Sequence, residues 1–144
     1  MSKTLTKDEE LALLDAAQQV RENSYSPYSK FKVGAAVLTQ DGRIFRGTNI
    51  ENASYGLTVC AERNAIFAAV GAGERRFRAL ALVTQKVPGM AFGSPCGACR
   101  QVMSEFMSPN TPILIAVLDK QKRIVYRKTL RDLMPFPFDK FTEK

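Results

Sequence analysis

Apolar and polar positions alternate along this chain in two rhythms. Leu11, Leu14 and Ala17, with Leu13 and Val20 beside them, recur at helical spacing. Thr6-Lys7-Asp8-Glu9 in front of them has the form of a capping box, so a first helix is predicted over about 7–22. A polar loop with Pro27 follows over 23–30. Strand one is predicted over 32–39, where 33–38 is almost continuously apolar, as in a strand covered on both faces. Asp41-Gly42 is a hairpin signal, and strand two follows over 43–48. After a loop over 49–58, Thr58 is a candidate N-cap for a small, apolar second helix over 59–71. Strand three is predicted over 78–84. Ser94-Pro95 reads as an N-cap with proline at the first helical position, opening a third helix from Pro95 to about Met107.

Strand four is predicted over 112–118 and strand five over 123–127. The gap between them is too short for a parallel crossover, so they form an antiparallel hairpin. A short helix over 129–134 ends at Pro135, and a tail with Phe136, Phe138 and Phe141 follows. The expected fold class is α/β: a three-layer α-β-α arrangement with one mixed five-stranded sheet. The 144 residues suit a single domain, 1–144, and no internal repeat or linker breaks them.

Composition narrows the picture. No apolar run approaches the roughly 18 residues of a membrane span, and the polar stretch 1–10 is unlike a secretory signal. Net charge is +7, but the 21 Lys and Arg are interleaved with acids and form no block. A solvated surface explains them without a polyanionic partner, so no nucleic-acid partner and no membrane is expected.

The chemistry gathers at Cys60-Ala61-Glu62-Arg63 and Pro95-Cys96-Gly97-Ala98-Cys99-Arg100. These stretches hold all three cysteines, and the chain has no histidine. An odd count without secretory context favours a reducing compartment and a metal over disulfides. Three thiols fall short of the four ligands of a structural zinc site. They match a catalytic one, which keeps a fourth position for water. Cys96 and Cys99 share a helix face, and unpaired N–H groups at a helix start favour thiolate over thiol. Glu62 is placed to move a proton, and the Ala61 N–H to meet a substrate carbonyl. Three thiolates overbalance a divalent charge, and Arg63 and Arg100, each directly following a motif, are candidates to offset it. Redox use of the Cys-x-x-Cys pair, or a structural site completed by another group, leaves Cys60 and Glu62 together unexplained. Cys-x-Glu with Pro-Cys-x-x-Cys is the three-cysteine pattern of zinc nucleobase deaminases.

With Tyr28-Ser29-Lys30-Phe31-Lys32-Val33-Gly34-Ala35-Ala36, Asn49-Ile50-Glu51-Asn52-Ala53-Ser54-Tyr55 and Ser94 to Val102, the chain resembles the cytidine deaminase family of small, homotetrameric zinc enzymes. The resemblance runs from Tyr25 to Phe138. It implies one Zn²⁺ per chain on Cys60, Cys96 and Cys99, with Glu62 as proton shuttle. It further implies that Asn49 and Glu51 hold the ribose hydroxyls, that Phe31 stacks on the pyrimidine and that the Ala61 N–H meets the base carbonyl. Tyr55 and Phe138 match positions lining a neighbouring subunit's site, although Phe136-Pro137-Phe138 is more aromatic than the usual segment there. The implied activity is hydrolytic deamination of cytidine and deoxycytidine in cytoplasmic pyrimidine salvage. Three rivals are a polynucleotide-directed deaminase, a blasticidin-type deaminase and a non-enzymatic zinc-stabilised protein. The first is opposed by the strand four–five hairpin and by the charge of Glu51, the second by the Asn-x-Glu pair.

Overall fold

A computed structural model describes residues 4–139; Phe141 of the aromatic tail lies outside them. The elements are α1 (Lys7–Arg21), β1 (Val33–Thr39), β2 (Ile44–Thr48), α2 (Ala61–Gly71), β3 (Phe77–Gln85), α3 (Gly97–Phe106), β4 (Pro112–Asp119), β5 (Lys122–Thr129) and α4 (Leu130–Leu133). A 3₁₀ turn, Tyr55–Leu57, lies in the stretch expected to be loop. The five strands form one sheet in the order β2-β1-β3-β4-β5. β3 and β4 run parallel, with α3 in the crossover between them, and every other neighbouring pair is antiparallel. The β4–β5 hairpin is as the short gap required, turning through Lys120 at φ 58°.

Side-chain alternation along the central strands builds two cores. On one face Ala36 and Leu38 of β1, Ala79, Ala81 and Val83 of β3, and Leu114 and Ala116 of β4 bury against Leu13, Leu14 and Ala17 of α1. On the other, Ala35, Val37, Leu80, Leu82, Ile113 and Ile115 bury against Ala65, Ile66 and Ala69 of α2 and Cys99 and Met103 of α3. The run 33–38, expected to be covered on both faces, is so covered, with Ala35 and Val37 in one core and Ala36 and Leu38 in the other.

The capping box of α1 is formed: Glu9 N donates to Thr6 Oγ1 and Thr6 N to Glu9 Oε1. Glu9 also has a second partner. Arg78, at the start of β3, is buried, and its guanidinium donates to Glu9 Oε2 at 2.6 Å and Oε1 at 2.9 Å. These bonds, with the Thr6 N–H, hold the Glu9 carboxyl down at about 2 from an ordinary 4.5. A carboxyl depressed by folding stabilises the fold above its ordinary value, and that stability drains as pH falls towards 2. Glu9→Gln is therefore expected to lower stability at pH 7 and to flatten its loss between about pH 4.5 and 2. Urea midpoints measured across that range check this; parallel curves for both proteins would refute it.

Two helix starts differ from expectation. Thr58 does not cap α2, because Val59 and Ile50 exchange backbone hydrogen bonds at 3.0 Å and hold the chain extended there. Helix α2 starts at Ala61 with Cys60 as its N-cap residue. Helix α3 likewise starts at Gly97, with Cys96 as its N-cap in place of Ser94. The two caps share one extended conformation, φ −71°, ψ 157° and φ −70°, ψ 168°.

Candidate active site

Those two caps bring the thiols together. Cys60 Sγ lies 3.8 Å from Cys96 Sγ, which lies 3.5 Å from Cys99 Sγ, and all three are within 4.8 Å of one another. Sulfurs sharing a tetrahedral ion at a Zn–S length of about 2.3 Å stand about 3.8 Å apart. The donor set therefore fits zinc, which soft thiolates suit. Cys99 is buried, while Cys96 is exposed and Cys60 intermediate. Both helices present unused N–H groups here, the setting that favours thiolate. The Cys60 thiol is drawn down to about 5, first by the Cys99 thiol donating to it and then by Arg63. Cys99 is raised correspondingly, by the same bond and by burial.

Arg63, on the first turn of α2, donates from Nη2 to Cys60 Sγ at 3.5 Å. Of the two arginines that were candidates to offset the thiolate charge, Arg100 does not do so by direct contact. It has no bond to sulfur among the described residues: its guanidinium donates from Nε to Pro95 O at 2.7 Å, from Nη1 to Leu133 O at 2.6 Å and from Nη2 to Ser94 Oγ. The reason is its direction. The guanidinium runs past Cys96 to the Pro95 carbonyl and Ser94 hydroxyl, where Leu133 O at the end of α4 holds its far side.

Glu62 is 3% exposed. Burial is the first cause that pushes its carboxyl up to about 7. It lies in the wall of a cavity of about 450 Å³ with Cys60, Ala61, Cys96, Phe31, Asn49 and Glu51. Residues named from the sequence for metal, proton, base and ribose thus meet in one hollow. A larger hollow, about 630 Å³, lies at the other end of β3, by Phe77 and Arg127. It has no sulfur ligand and, among the described residues, only the carboxylate of Glu10, so the chemistry belongs to the smaller one.

Asn49 and Glu51 alternate about Ile50 in an extended segment, which turns both towards the cavity. Asn49 Oδ1 accepts from Val33 N at 3.0 Å and from Ser24 Oγ, and Nδ2 donates to Phe31 O at 2.7 Å. The other N–H of that amide has no partner among the described residues. Glu51 Oε1 accepts from the Tyr28 and Ser29 amides at 3.0 and 3.1 Å, and Oε2 from the Ser29 hydroxyl. These bonds, the Ser29 hydroxyl first, hold Glu51 below the usual carboxylate range. It presents ionised acceptors, suited to hydroxyl donors and repelling phosphate.

Tyr55 lines an adjoining hollow with Tyr28, whose ring it meets edge-on at 5.9 Å between centroids. Phe138 borders neither hollow; it is 70% exposed, and its carbonyl accepts from Gln101 Nε2 at 2.7 Å. Residues missed in the sequence include Ser29, which positions Glu51 and also accepts from Phe31 N at 3.0 Å. Leu82 and Thr84 form part of the wall. Strand alternation along β3 puts these two on one face, which was the available signal; Ser29 offered none beyond its place beside Phe31.

Comparison with known proteins places the chain in a family. Residues 7–115 match the family model described as the cytidine and deoxycytidylate deaminase zinc-binding region. The chain is 45% identical over 128 residues to a cytidine deaminase of Sporosarcina psychrophila, covering 89% of this chain and 90% of the relative. It is 46% identical over 129 residues to one of Halalkalibacterium halodurans, covering 88% and 91%. Among solved structures, cytidine deaminase from Burkholderia pseudomallei superposes with a TM-score of 0.81 at 45% identity, covering 89% of this chain and 98% of that one. The Mycobacterium tuberculosis cytidine deaminase gives 0.71 at 38%, covering 90% and 96%.

Proposed function

The chain belongs to the cytidine and deoxycytidylate deaminase family, and from that premise we propose that it hydrolyses cytidine and deoxycytidine to uridine and deoxyuridine with release of ammonia. The observation that carries the reading is the convergence of Cys60, Cys96 and Cys99 sulfurs beside the buried Glu62. Cys60, Cys96 and Cys99 would hold zinc as thiolates, and the bound ion would supply the Lewis acidity that makes water a nucleophile near neutral pH.

Glu62 takes a proton from the water that adds to C4 of the cytosine ring. It delivers that proton to N3, then carries the proton of the new C4 hydroxyl to the amine, which leaves as ammonia while the C4=O bond forms and the C4–N bond breaks. Carboxyl burial suits a group that must both accept and donate near pH 7. The Ala61 N–H, in the first turn of α2 and without a helical acceptor, donates to the base carbonyl. Phe31 stacks on the ring. The spare Asn49 N–H and the Glu51 carboxylate hold ribose hydroxyls. Arg63 offsets the surplus negative charge of three thiolates.

The site reading makes a nucleoside the substrate. Glu51 occupies the place a 3′-phosphate would need, and like charges repel. Glu51→Gln is expected to raise KM for cytidine by about tenfold while kcat moves less, since a hydrogen bond to a charged group is worth about 1.5–3 kcal/mol. Initial rates across cytidine concentration check this; an unchanged KM would remove Glu51 from the ribose site.

We read the chain as one domain and the enzyme as a homotetramer with shared sites, acting in cytoplasmic pyrimidine salvage. Support for assembly is the set of large apolar side chains left exposed, among them Tyr55, Leu57, Phe67, Phe136 and Phe138. Three free thiols suit a reducing compartment. No helix among the described residues is long and apolar enough to cross a membrane.

The decisive experiment follows loss of cytosine absorbance with cytidine, with and without a chelator, alongside zinc content per chain. Chelator-sensitive turnover at one zinc per chain is expected. Efficient turnover of a single-stranded oligonucleotide, or activity without zinc, would overturn the reading.

A further inference from the structure

Two consecutive residues of α3 both reach the C-terminal segment and are not accounted for by the chemistry above. Arg100 spans two parts of the chain. Its Nε and Nη2 hold Pro95 O and Ser94 Oγ, the two residues before Cys96, and its Nη1 holds Leu133 O at the end of α4. Gln101 Nε2 donates to Phe138 O farther along the same C-terminal segment. Ser94 and Cys96 both line the cavity of Glu62.

Earlier in this loop the Lys86 amide donates to Leu118 O and Phe92 packs on the core and against the Tyr126 ring, whereas Arg100 takes hold of the last two residues before Cys96. Cys96 is the exposed member of the three thiols, and its backbone is extended before α3 begins. Residues 86–96 carry no regular secondary structure. Helix α4 is one short turn. A planar guanidinium offers donors in fixed directions, and Arg100 uses three of them on acceptors from two otherwise separate segments. All three acceptors are neutral, so the residue works as a geometric brace.

We propose that Arg100 is a positioning residue that locks the Cys96 ligand loop to the C-terminal segment, with Gln101 extending the same lock to Phe138. Ligand geometry and the setting of the aromatic tail are then one mechanical unit: loosening either loosens the other. This rests on the reading of Cys96 as a zinc ligand. Groups that orient ligands from outside the metal's own shell commonly matter about 10–100-fold for metal affinity or activity.

The test uses the full-length zinc-loaded protein and the rate at which a chromogenic chelator captures its zinc at room temperature. Arg100→Met is expected to release zinc at least about tenfold faster than the parent chain. Arg100→Lys, which restores one donor, is expected to fall between them. Limited proteolysis should cut the segment after Leu133 faster in Arg100→Met. Ser94→Ala removes one of the three acceptors and should speed release by a smaller factor, which keeps the test available if Arg100→Met does not fold. Leu13→Ala serves as a control: it weakens the α1 core, far from the loop, and should lower Tm without a matching rise in zinc release. Release rates for the Arg100 and Ser94 variants equal to the parent, or speeded only as much as Leu13→Ala, would overturn the proposal. Parent chain that binds no zinc, or a Cys96→Ala variant that keeps its zinc as tightly, would instead refute the metal reading beneath it.

Discussion

Glu62→Gln is expected to keep one zinc per chain and to lose roughly 10²–10⁴-fold in kcat, the usual range for removing a positioned general acid–base group. The substitution preserves shape, so the pocket around residue 62 stays filled. It removes the one thing the mechanism asks of this side chain, a proton that can be taken and returned. The setting is specific. Glu62 is almost entirely buried on the first turn of α2, two residues after Cys60, and its carboxyl is pushed up to about 7 by that burial. An ordinary surface glutamate would have been ionised, solvated and of no use as an acid. KM should move much less than kcat, because nucleoside binding is assigned to Phe31, Asn49, Glu51 and the Ala61 N–H. Stopped assays at saturating cytidine, with metal content measured on the same samples, decide the matter. A Glu62→Gln variant within about tenfold of the parent kcat would exclude Glu62 as the shuttle, and so would loss of activity explained wholly by lost zinc.

The residues that converge on this centre were legible in the sequence because each chemistry needs particular residue types. Three sulfurs and a carboxyl have few alternative uses at that spacing, whereas Phe31, Asn49 and Glu51 were reached only through the family resemblance. The sheet was legible for a different reason. A run such as 33–38 of β1 is apolar almost throughout only when both faces are covered, and α1 covers one face while α2 and α3 cover the other. What could not be read was set by tertiary contacts. Thr58 and Ser94 have the residue types of helix caps, but the Ile50–Val59 bridge keeps the first extended and Arg100 uses the hydroxyl of the second. Each helix start moves onto a cysteine as a result. Arg100 follows its motif just as Arg63 does, yet only Arg63 reaches sulfur. Local sequence gives no way to distinguish them; the position of Leu133, far along the chain, does.

A second large effect comes from two glycines whose role is space, and they should fail in different ways. Gly34 lies on β1 under α1. A Cβ there would stand 1.9 Å from the Ala17 carbonyl oxygen and 2.9 Å from the Arg21 amide nitrogen. Gly47 lies on β2 under α2, and its Cβ would stand 2.3 Å from the Ala65 amide nitrogen and 2.6 Å from the Ala61 carbonyl oxygen. All four atoms are backbone, so no rotamer change can relieve the clash and a helix must move. Overpacking commonly costs about 1–3 kcal/mol, and a clash against a helix backbone belongs at or above the top of that range. Both Gly34→Ala and Gly47→Ala are therefore expected to lower Tm by roughly 10 °C. The helices differ in what they carry. α1 supplies no group to the site, so Gly34→Ala should retain its zinc and a near-parental kcat at temperatures where it is folded. α2 carries Glu62 and Arg63 and is capped by Cys60. Gly47→Ala pushes that first turn away from Cys96 and Cys99, so it should also release zinc faster and lose at least about tenfold in kcat, as expected when metal ligands or their supports are displaced. Melting curves, zinc content and rates on the same two proteins separate the outcomes. Equal loss of zinc and turnover in both would mean that the site depends only on global stability, and not on the close seating of α2 against the sheet.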